Sequence, residues 1–213
     1  MVTKLMGVAI ALCAISLSGC SNKNEASEKN FKDAINETFK TDVPCLEIDG
    51  YYSAALGIGM PMEPDHATDE QIIADKPLPK ALADLGLVTL NVVRTHPATG
   101  GELPYIKVTL TEKGKPYFRD LHDRIDEIPS LCFGHYVLDS VDRFSQPQSM
   151  LGQTLSEVQY TYHVVDVPDW VKAPELMAHS SWLKQLVTNP VRAETKTFIL
   201  TNKGWEDKDA TGL

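Results

Sequence analysis

An early stretch of the chain carries apolar residues at helical spacing. Phe31, Ile35 and Phe39 lie four positions apart, and the residues between them are mostly polar. Such a repeat places the apolar side chains on one face of a helix. We therefore expect an amphipathic helix over about residues 30–40, followed after Pro44 by a short strand.

Two short helices and a hairpin are predicted next. Thr68 is placed to cap a first helix, and a second helix has Pro79 near its start and Gly86 just past its end. Two β-rich runs, "LVTLNVVRT" and "ELPYIKVTL", then flank a loop that contains Gly and Pro. This arrangement predicts a β-hairpin.

The second half of the chain is richer in strand signals. The run "LCFGHYVLDSVDRF" is β-rich, and "SEVQYTYHVVDV" alternates apolar and polar residues, which is typical of a half-buried strand. The polar "QPQSMLGQT" between them is expected to be a turn or loop. "PELMAHSSWLKQLVT" carries one apolar stripe and predicts a helix, and "AETKTFILTNKG" predicts a final strand. The order is β-β-α-β.

The first half resembles a winged-helix domain. Its order of helix, strand, two helices and hairpin, with "LGLV" before the hairpin and "LTEKG" at its end, carries the resemblance over about residues 30–118. Winged helices are best known for binding DNA through the second helix of the pair, which here offers only Lys80 against Asp84. The DNA-binding function is therefore not carried over, since a fold alone does not imply a function.

These patterns together predict a mixed α/β protein of the α+β class. We expect one composite globular domain over residues 30–209. Its winged-helix-like half, about residues 30–118, would pack on the β-β-α-β half, about residues 130–206.

The first residues of the chain have the layout of an export signal. Lys4 precedes an apolar run from Met6 to Leu17, and twelve residues make about 18 Å of helix, short of a bilayer core. The run ends in Leu17-Ser18-Gly19-Cys20, which resembles the lipobox of bacterial lipoproteins. The resemblance implies that residues 1–19 are a signal peptide, which is cleaved before Cys20.

The same resemblance implies a lipid anchor. The Cys20 sulfur would carry a diacylglyceryl thioether and its amino group an acyl chain such as palmitate, and multiple chains hold a protein firmly on a membrane. Residues 20–29 are polar and are expected to form a flexible tether. Position 21 is Ser rather than Asp, which resembles the outer-membrane class of Gram-negative lipoproteins. We expect the domain to face the periplasm, with the inner membrane and the cell surface as alternatives.

The cysteines fit an exported protein. Of the four, Cys13 lies in the leader and Cys20 is the expected lipid site, which leaves Cys45 and Cys132. Neither has the neighbouring Cys or His of a metal site, and no C-x-x-C redox motif is present. Two remaining thiols outside the inner membrane are therefore expected to form one disulfide.

Charge and motifs limit the chemistry. The net charge is −9, and loss of the leader with Lys4 takes it to −10, which disfavours nucleic acid as a partner. The sequence shows no P-loop, no G-x-S-x-G elbow and no His pair at metal-ligand spacing. We expect no catalytic residue, metal or cofactor.

One short pattern occurs twice, as "LTEKGK" at residues 110–115 and as "LTNKGW" at residues 200–205. Both copies follow a β-rich run. A Thr that accepts a backbone N–H and a Gly with a permissive backbone make a strand exit. The alternative, a phosphate cradle, lacks the glycine density of a P-loop. The pattern predicts two turns with surface lysines.

The sequence favours a membrane-anchored binding or assembly module for an envelope protein partner. Met60 and Met62, in an irregular Met-rich loop at residues 51–65, are candidates for the contact because Met side chains adapt to partners. Trp170 is a further candidate, since Trp is frequent at binding hot spots, although packing at the edge of a core is the favoured interpretation for a Trp beside a turn. The alternatives are a hydrolase whose site assembles in space and a structural or stress protein of the envelope.

Overall fold

The computed structural model describes residues 22–48, 68–95, 103–123 and 126–211 of the chain. Its helices are α1 Glu28–Phe39, α2 Asp69–Ala74, α3 Pro77–Asp84, α4 Pro174–His179, α5 Ser181–Thr188 and α6 Lys208–Thr211. Its strands are β1 Cys45–Glu47, β2 Val88–Thr95, β3 Leu103–Leu110, β4 Phe118–Asp123, β5 Asp126–Cys132, β6 His135–Phe144, β7 Gln148–Met150, β8 Gln153–Val165, β9 Arg192–Thr201 and β10 Gly204–Asp207. The predicted mixed α+β class is confirmed.

The strands of the described residues form three antiparallel sheets. β2 and β3 make the predicted hairpin, and a second sheet has the order β1-β5-β4. The third sheet has the order β10-β9-β8-β6, with β7 paired to one end of β8. In this third sheet, Tyr160 lies opposite both Val141 and Glu194, so the three side chains share one face.

Helix α1 covers that face of the third sheet. The side chain of Ser27 caps the helix by accepting a hydrogen bond from the backbone N–H of Asn30. Phe31 and Ile35, on the predicted apolar face, are 0 % and 1 % exposed. The Phe31 ring contacts three aromatic rings of the sheet, those of Phe144, Phe198 and Trp205. Burial of these rings is what holds α1 on the sheet.

Helices α2 to α5 and the hairpin enclose a second core. Helices α2 to α5 pack with β1, β5 and the β2–β3 hairpin around side chains that are almost completely buried. The helix α2 begins with a full capping box, in which Thr68 and Gln71 exchange hydrogen bonds. The most deeply buried members of this second core are Ile72, Leu82, Leu87, Val88, Leu131, Val171, Leu176 and Leu183.

The two cores do not correspond to the two predicted halves. Helix α1, from the first half of the chain, packs on the C-terminal sheet, while α4 and α5, from the second half, pack with α3. The division into about 30–118 and 130–206 is therefore wrong as a description of packing. The winged-helix resemblance is not confirmed either, because α1 does not pack on α2 and α3, and β1 pairs with β5 instead of the hairpin.

The predicted disulfide is present. Cys45 of β1 and Cys132 of β5 are directly opposite in the antiparallel register, with their Cα atoms 3.9 Å apart, and their sulfur atoms are bonded. The bond ties the segment that follows α1 to the middle of the chain.

Three local predictions for the second half are corrected. The helix expected after Pro174 is two helices, because Ser180 is extended (φ −133°) and its hydroxyl accepts from the N–H of Leu183, which starts α5. The expected loop "QPQSMLGQT" contains β7 and the start of β8, joined by a turn with positive φ at Leu151 and Gly152. The final strand continues through a turn into β10 and α6.

The tether prediction is wrong for residues 22–29. The side chain of Asn30 donates to the carbonyl oxygens of Asn22 and Glu25, and the indole N–H of Trp205 donates to Glu25 at 3.1 Å. The Lys23 ammonium reaches the carbonyl of Asn202 at 2.8 Å. These residues are thus attached to the third sheet.

None of the helices in the described residues has the length and hydropathy needed to cross a bilayer.

Candidate functional site

The first copy of the Leu-Thr-x-Lys-Gly repeat is a tight turn after β3. The Thr111 hydroxyl donates to the carbonyl oxygen of Gly86 at 2.6 Å and accepts from the N–H of Gly114 at 3.2 Å. Gly114 lies so close to neighbouring backbone that a Cβ atom there would be 2.0 Å from the carbonyl oxygen of Leu87. The glycine is required for this close approach.

The second copy is a hairpin turn between β9 and β10. The N–H of Lys203 donates to the Thr201 hydroxyl at 3.0 Å, and Gly204 has a φ of +118°. Gly114 has a φ of −81°, so the two glycines serve different needs. The side chains of Lys113 and Lys203 are exposed, as predicted. Both copies are structural turns, and they do not share one geometry.

The sequence-predicted contact residues are not gathered in one place. Cys20, Met60 and Met62 lie outside the described residues. Trp170 is 6 % exposed and packs in the second core against Tyr117 and Phe133, with ring centroids 5.4 Å away in each case. Its proposed role in direct contact with a partner is therefore corrected, because its ring presents almost no surface.

A groove with several charged and hydroxyl side chains in its lining runs along α1 on the side that faces β10 and α6. Its volume is about 960 Å³. We call it the α1 groove. One of its walls is a single stripe of α1, and the others come from the β9–β10 turn, β10 and α6. The lining includes Asp33, Glu37 and Thr38 of α1, Thr41 in the turn after α1, Lys23, and Thr201, Lys203, Glu206, Asp207 and Thr211 of the C-terminal elements.

Carboxylates outnumber ammonium groups along the α1 groove. Its lining contains four carboxylates and two lysines, which are Asp33, Glu37, Glu206, Asp207, Lys23 and Lys203. Asp33 and Glu37 of α1 are mostly exposed, and within the described residues they pair with Lys29 of the same helix and with Lys40 at its end. Exposed pairs of this kind contribute at most about 1 kcal/mol, so they can exchange partners readily. The groove therefore offers a negative, accessible surface.

The inner side of the α1 groove holds a buried ion pair. Asp207 is 3 % exposed, and its carboxylate accepts from the Lys196 ammonium at 2.9 Å and from the N–H of Asp209 at 3.0 Å. Burial acts to lower the pKa of Lys196, but the hydrogen bond and charge of Asp207 outweigh it and raise that pKa. The Lys196 ammonium therefore stays charged at neutral pH, and its bond to Asp207 joins β9 to β10.

Two more carboxyl groups approach the same lysine. The Tyr160 hydroxyl donates to Glu194 at 3.0 Å on the face that α1 covers. Desolvation raises the pKa of Asp42, just after α1, and the charges of Glu194 and Asp207 raise it further, while Lys196 opposes them. Asp42, Glu194 and Asp207 thus all interact with the Lys196 ammonium group at this end of α1.

An aromatic cluster adjoins these charges. The Phe39 ring contacts the rings of Tyr136, Tyr160 and Tyr162, with centroids 5.3, 6.2 and 5.6 Å away. Burial raises the pKa of each tyrosine, and the neighbouring carboxylates raise it further. The three phenols remain protonated at neutral pH, so they serve as apolar surface and hydrogen-bond donors.

A smaller pocket contains a His and Ser residues. It has a volume of about 460 Å³ and is lined by Glu47, His179 and Ser181, among others, beside the disulfide. Within the described residues, no hydrogen bond joins His179 to either neighbouring serine, and the Ser180 hydroxyl serves as the cap of α5. No group of three or more His, Cys, Asp or Glu side chains in the described ranges is arranged to hold a metal ion.

Comparison with known proteins assigns no family to the chain. No protein-family model, curated protein or solved structure matches the chain.

Proposed function

We propose that the protein is a lipid-anchored binding module of the bacterial envelope that holds a protein partner in the α1 groove. The observation that carries the proposal is that a residue lining the groove is close in sequence to the expected lipid site. Lys23 lines the groove and is three residues from Cys20, the residue matching the lipobox cysteine. Three residues span at most about 11 Å. A lipid on Cys20 would keep the mouth of the groove beside the membrane surface.

This confinement favours a partner that is itself fixed at the envelope. A tethered site has a raised effective concentration toward a neighbour in the same membrane or the adjoining wall, so a weak interface can be occupied. A freely diffusing substrate gains little from the same confinement. The outer membrane, with the domain facing the periplasm, is the location we propose from Ser21 and the lipobox.

The chemistry of the groove supports binding over catalysis. Lys196 and Asp207 satisfy each other, the phenols near them keep their protons, and the accessible carboxylates lie on a solvent-exposed helix face. Catalytic bases and nucleophiles need a poised, accessible group within reach of a substrate. Among the residues that line the groove, we find acceptors and charges but no such arrangement.

Photocrosslinking in intact cells tests the proposal. A photoreactive residue in place of Thr41 or Lys203 would face the groove, and one in place of exposed Thr195 would lie outside it. We expect discrete crosslinked bands from the two groove positions, fewer from Thr195, and loss of the bands when Cys20 is replaced by Ala.

Two results would contradict the proposal. One is equal crosslinking from Thr195 and from the groove positions, because the contact would then be unspecific. The other is hydrolysis of envelope material by the purified protein, with no groove-specific bands, which would favour the hydrolase alternative. The lipid itself is checked by mass spectrometry of the mature chain and by membrane partitioning of Cys20→Ala, which should leave unprocessed or released protein.

A further inference from the structure

We infer that the α1 groove takes an extended segment of the partner protein that carries Lys or Arg side chains. The inference rests on the proposed function and adds the chemical class of the ligand. It is argued from the charges, the hydrogen-bonding groups and the length of the groove.

The charges of the groove call for a cationic ligand. Its lining has four carboxylates and two lysines, but Asp207 is paired with Lys196 and Glu206 lies 3.8 Å from Lys203. The accessible negative charges are those of Asp33 and Glu37 on α1, whose pairs with Lys29 and Lys40 are exposed, and a basic ligand would add counter-charges there. An acidic ligand would meet like charges along the α1 wall, which costs affinity and slows association.

The hydroxyl groups of the groove point to the same class of ligand. Four threonines line it, and each already donates its hydroxyl hydrogen within the protein. Their acceptors are the carbonyl of Ala34 for Thr38, the carbonyl of Thr38 for Thr41, the carboxylate of Glu206 for Thr201 and the carbonyl of Lys208 for Thr211. What remains for a ligand is acceptor capacity on these oxygens. The groove therefore matches a ligand rich in N–H donors, as ammonium and guanidinium groups are.

The dimensions favour an extended peptide over a single small amine. The lining stripe of α1 runs from Asn30 to Thr38, which is about 12 Å of helix, and Thr41 lies in the turn after α1. At about 3.3 Å per residue, an extended chain of about four residues spans the helical part. β10, which lines the groove, is the outermost strand of its sheet within the described residues. Outer strands offer backbone groups to an added strand, a common mode of peptide recognition.

Binding of labelled pentalysine to the full mature protein in detergent, measured by fluorescence anisotropy at low salt, tests the inference. Pentaglutamate is the opposite-charge probe. The double variant Asp33→Asn/Glu37→Gln removes the two accessible groove charges. The control double variant Glu70→Gln/Glu175→Gln removes two exposed carboxylates on α2 and α4, so both variants have the same net charge.

We expect pentalysine to bind and pentaglutamate not to bind. The groove double variant should weaken pentalysine binding by about fivefold or more, and the control by less than about twofold. Lys203→Glu, which adds a carboxylate at the groove mouth, should strengthen binding. The four altered groove and control carboxylates are exposed, and unchanged thermal unfolding verifies that the variants fold.

Equal weakening by both double variants would overturn the inference, because binding would then follow total charge. Failure of pentalysine to bind would also overturn the inference about the ligand class. If the Thr41 crosslinks still formed in cells, the proposed function would stand, with a partner segment that is not basic. Groove-dependent pentalysine binding without cellular crosslinks would support the ligand class and contradict the proposed function.

Discussion

At the scale of single residues, the two repeated turns show that one sequence pattern can meet two different backbone needs. Gly114 is required because neighbouring backbone leaves no room for a side chain, whereas Gly204 is required by a positive φ. Thr111 and Thr201 have the same role in both turns, since each accepts a backbone N–H. The sequence could indicate the turns but not which of the two constraints each glycine meets.

Gly114→Ala should lower the free energy of unfolding by about 3 kcal/mol, because the new Cβ would overlap the Leu87 carbonyl oxygen. Lys113→Ala, on the exposed side of the same turn, should change it by less than about 0.5 kcal/mol. Urea denaturation of both variants measures the difference. Equal effects would mean that the turn relaxes around the added methyl group.

Asp42→Asn should stabilise the protein at neutral pH, by less than about 1 kcal/mol since Asp42 is solvent-accessible. The pKa of Asp42 is raised in the folded state. The contribution of this group to stability is therefore greatest below its unfolded pKa and is lost as the pH rises through the folded pKa. At pH 3 the variant and the wild type should unfold alike.

Thermal unfolding across pH 3–8 measures the effect of Asp42→Asn. Asp169→Asn removes a fully exposed carboxyl group and is the control for the loss of one negative charge. A loss of stability in Asp42→Asn at neutral pH would show that attraction to Lys196 outweighs desolvation.

At the scale of elements, local periodicity was a good guide to helices and strands but not to their breaks. The four-residue spacing of Phe31 and Ile35 predicts α1 and its buried face correctly. The apolar stripe after Pro174 continues through Ser180, so periodicity predicts one helix where the structure has two. A serine can end one helix and cap the next. A serine inside a continuous helix fits the same sequence pattern, and only the backbone direction before and after the residue distinguishes the two cases.

Ser180→Ala should lower the free energy of unfolding by about 1 kcal/mol, because the N–H of Leu183 loses its cap. Ser181→Ala, one residue later and exposed, should have an effect below about 0.5 kcal/mol. Equilibrium unfolding of the pair, with circular dichroism to detect any added helix, measures this. A stabilised Ser180→Ala variant with more helix would mean that α4 and α5 had fused.

At the scale of the whole molecule, the α1 groove could not be predicted from the sequence. Its walls come from residues near 23–41 and 201–211, and nothing local indicates that these ranges meet. One signal in the sequence points to it. Glu194 and Lys196 lie on the same face of β9 as buried Phe198. Charged residues on such a face suggest that the core is partly open at that end. The disulfide was predictable from the expectation of export, which leaves Cys45 and Cys132 without another role.

Reduction of the disulfide should lower the free energy of unfolding by about 4–5 kcal/mol, since it closes a loop with a sequence separation of 87 residues. Urea denaturation with and without a reducing agent measures the change. The double variant Cys45→Ser/Cys132→Ser should behave like the reduced wild type. If the reductant changed the double variant equally, the effect would not come from this bond.

The attachment of α1 to the C-terminal sheet also has a consequence for the timing of biogenesis. Glu25, just before α1, accepts a hydrogen bond from Trp205, which is 180 residues later in the chain. Ribosomes add about 5–20 residues per second, so roughly 10–40 s separate the synthesis of these two partners. If the chain is exported amino end first and lipidated as proposed, it would already be held at a lipid surface while Phe31 still lacked the strands that cover it. In that case the Phe31 ring would stay uncovered until β10, which carries Trp205, is made.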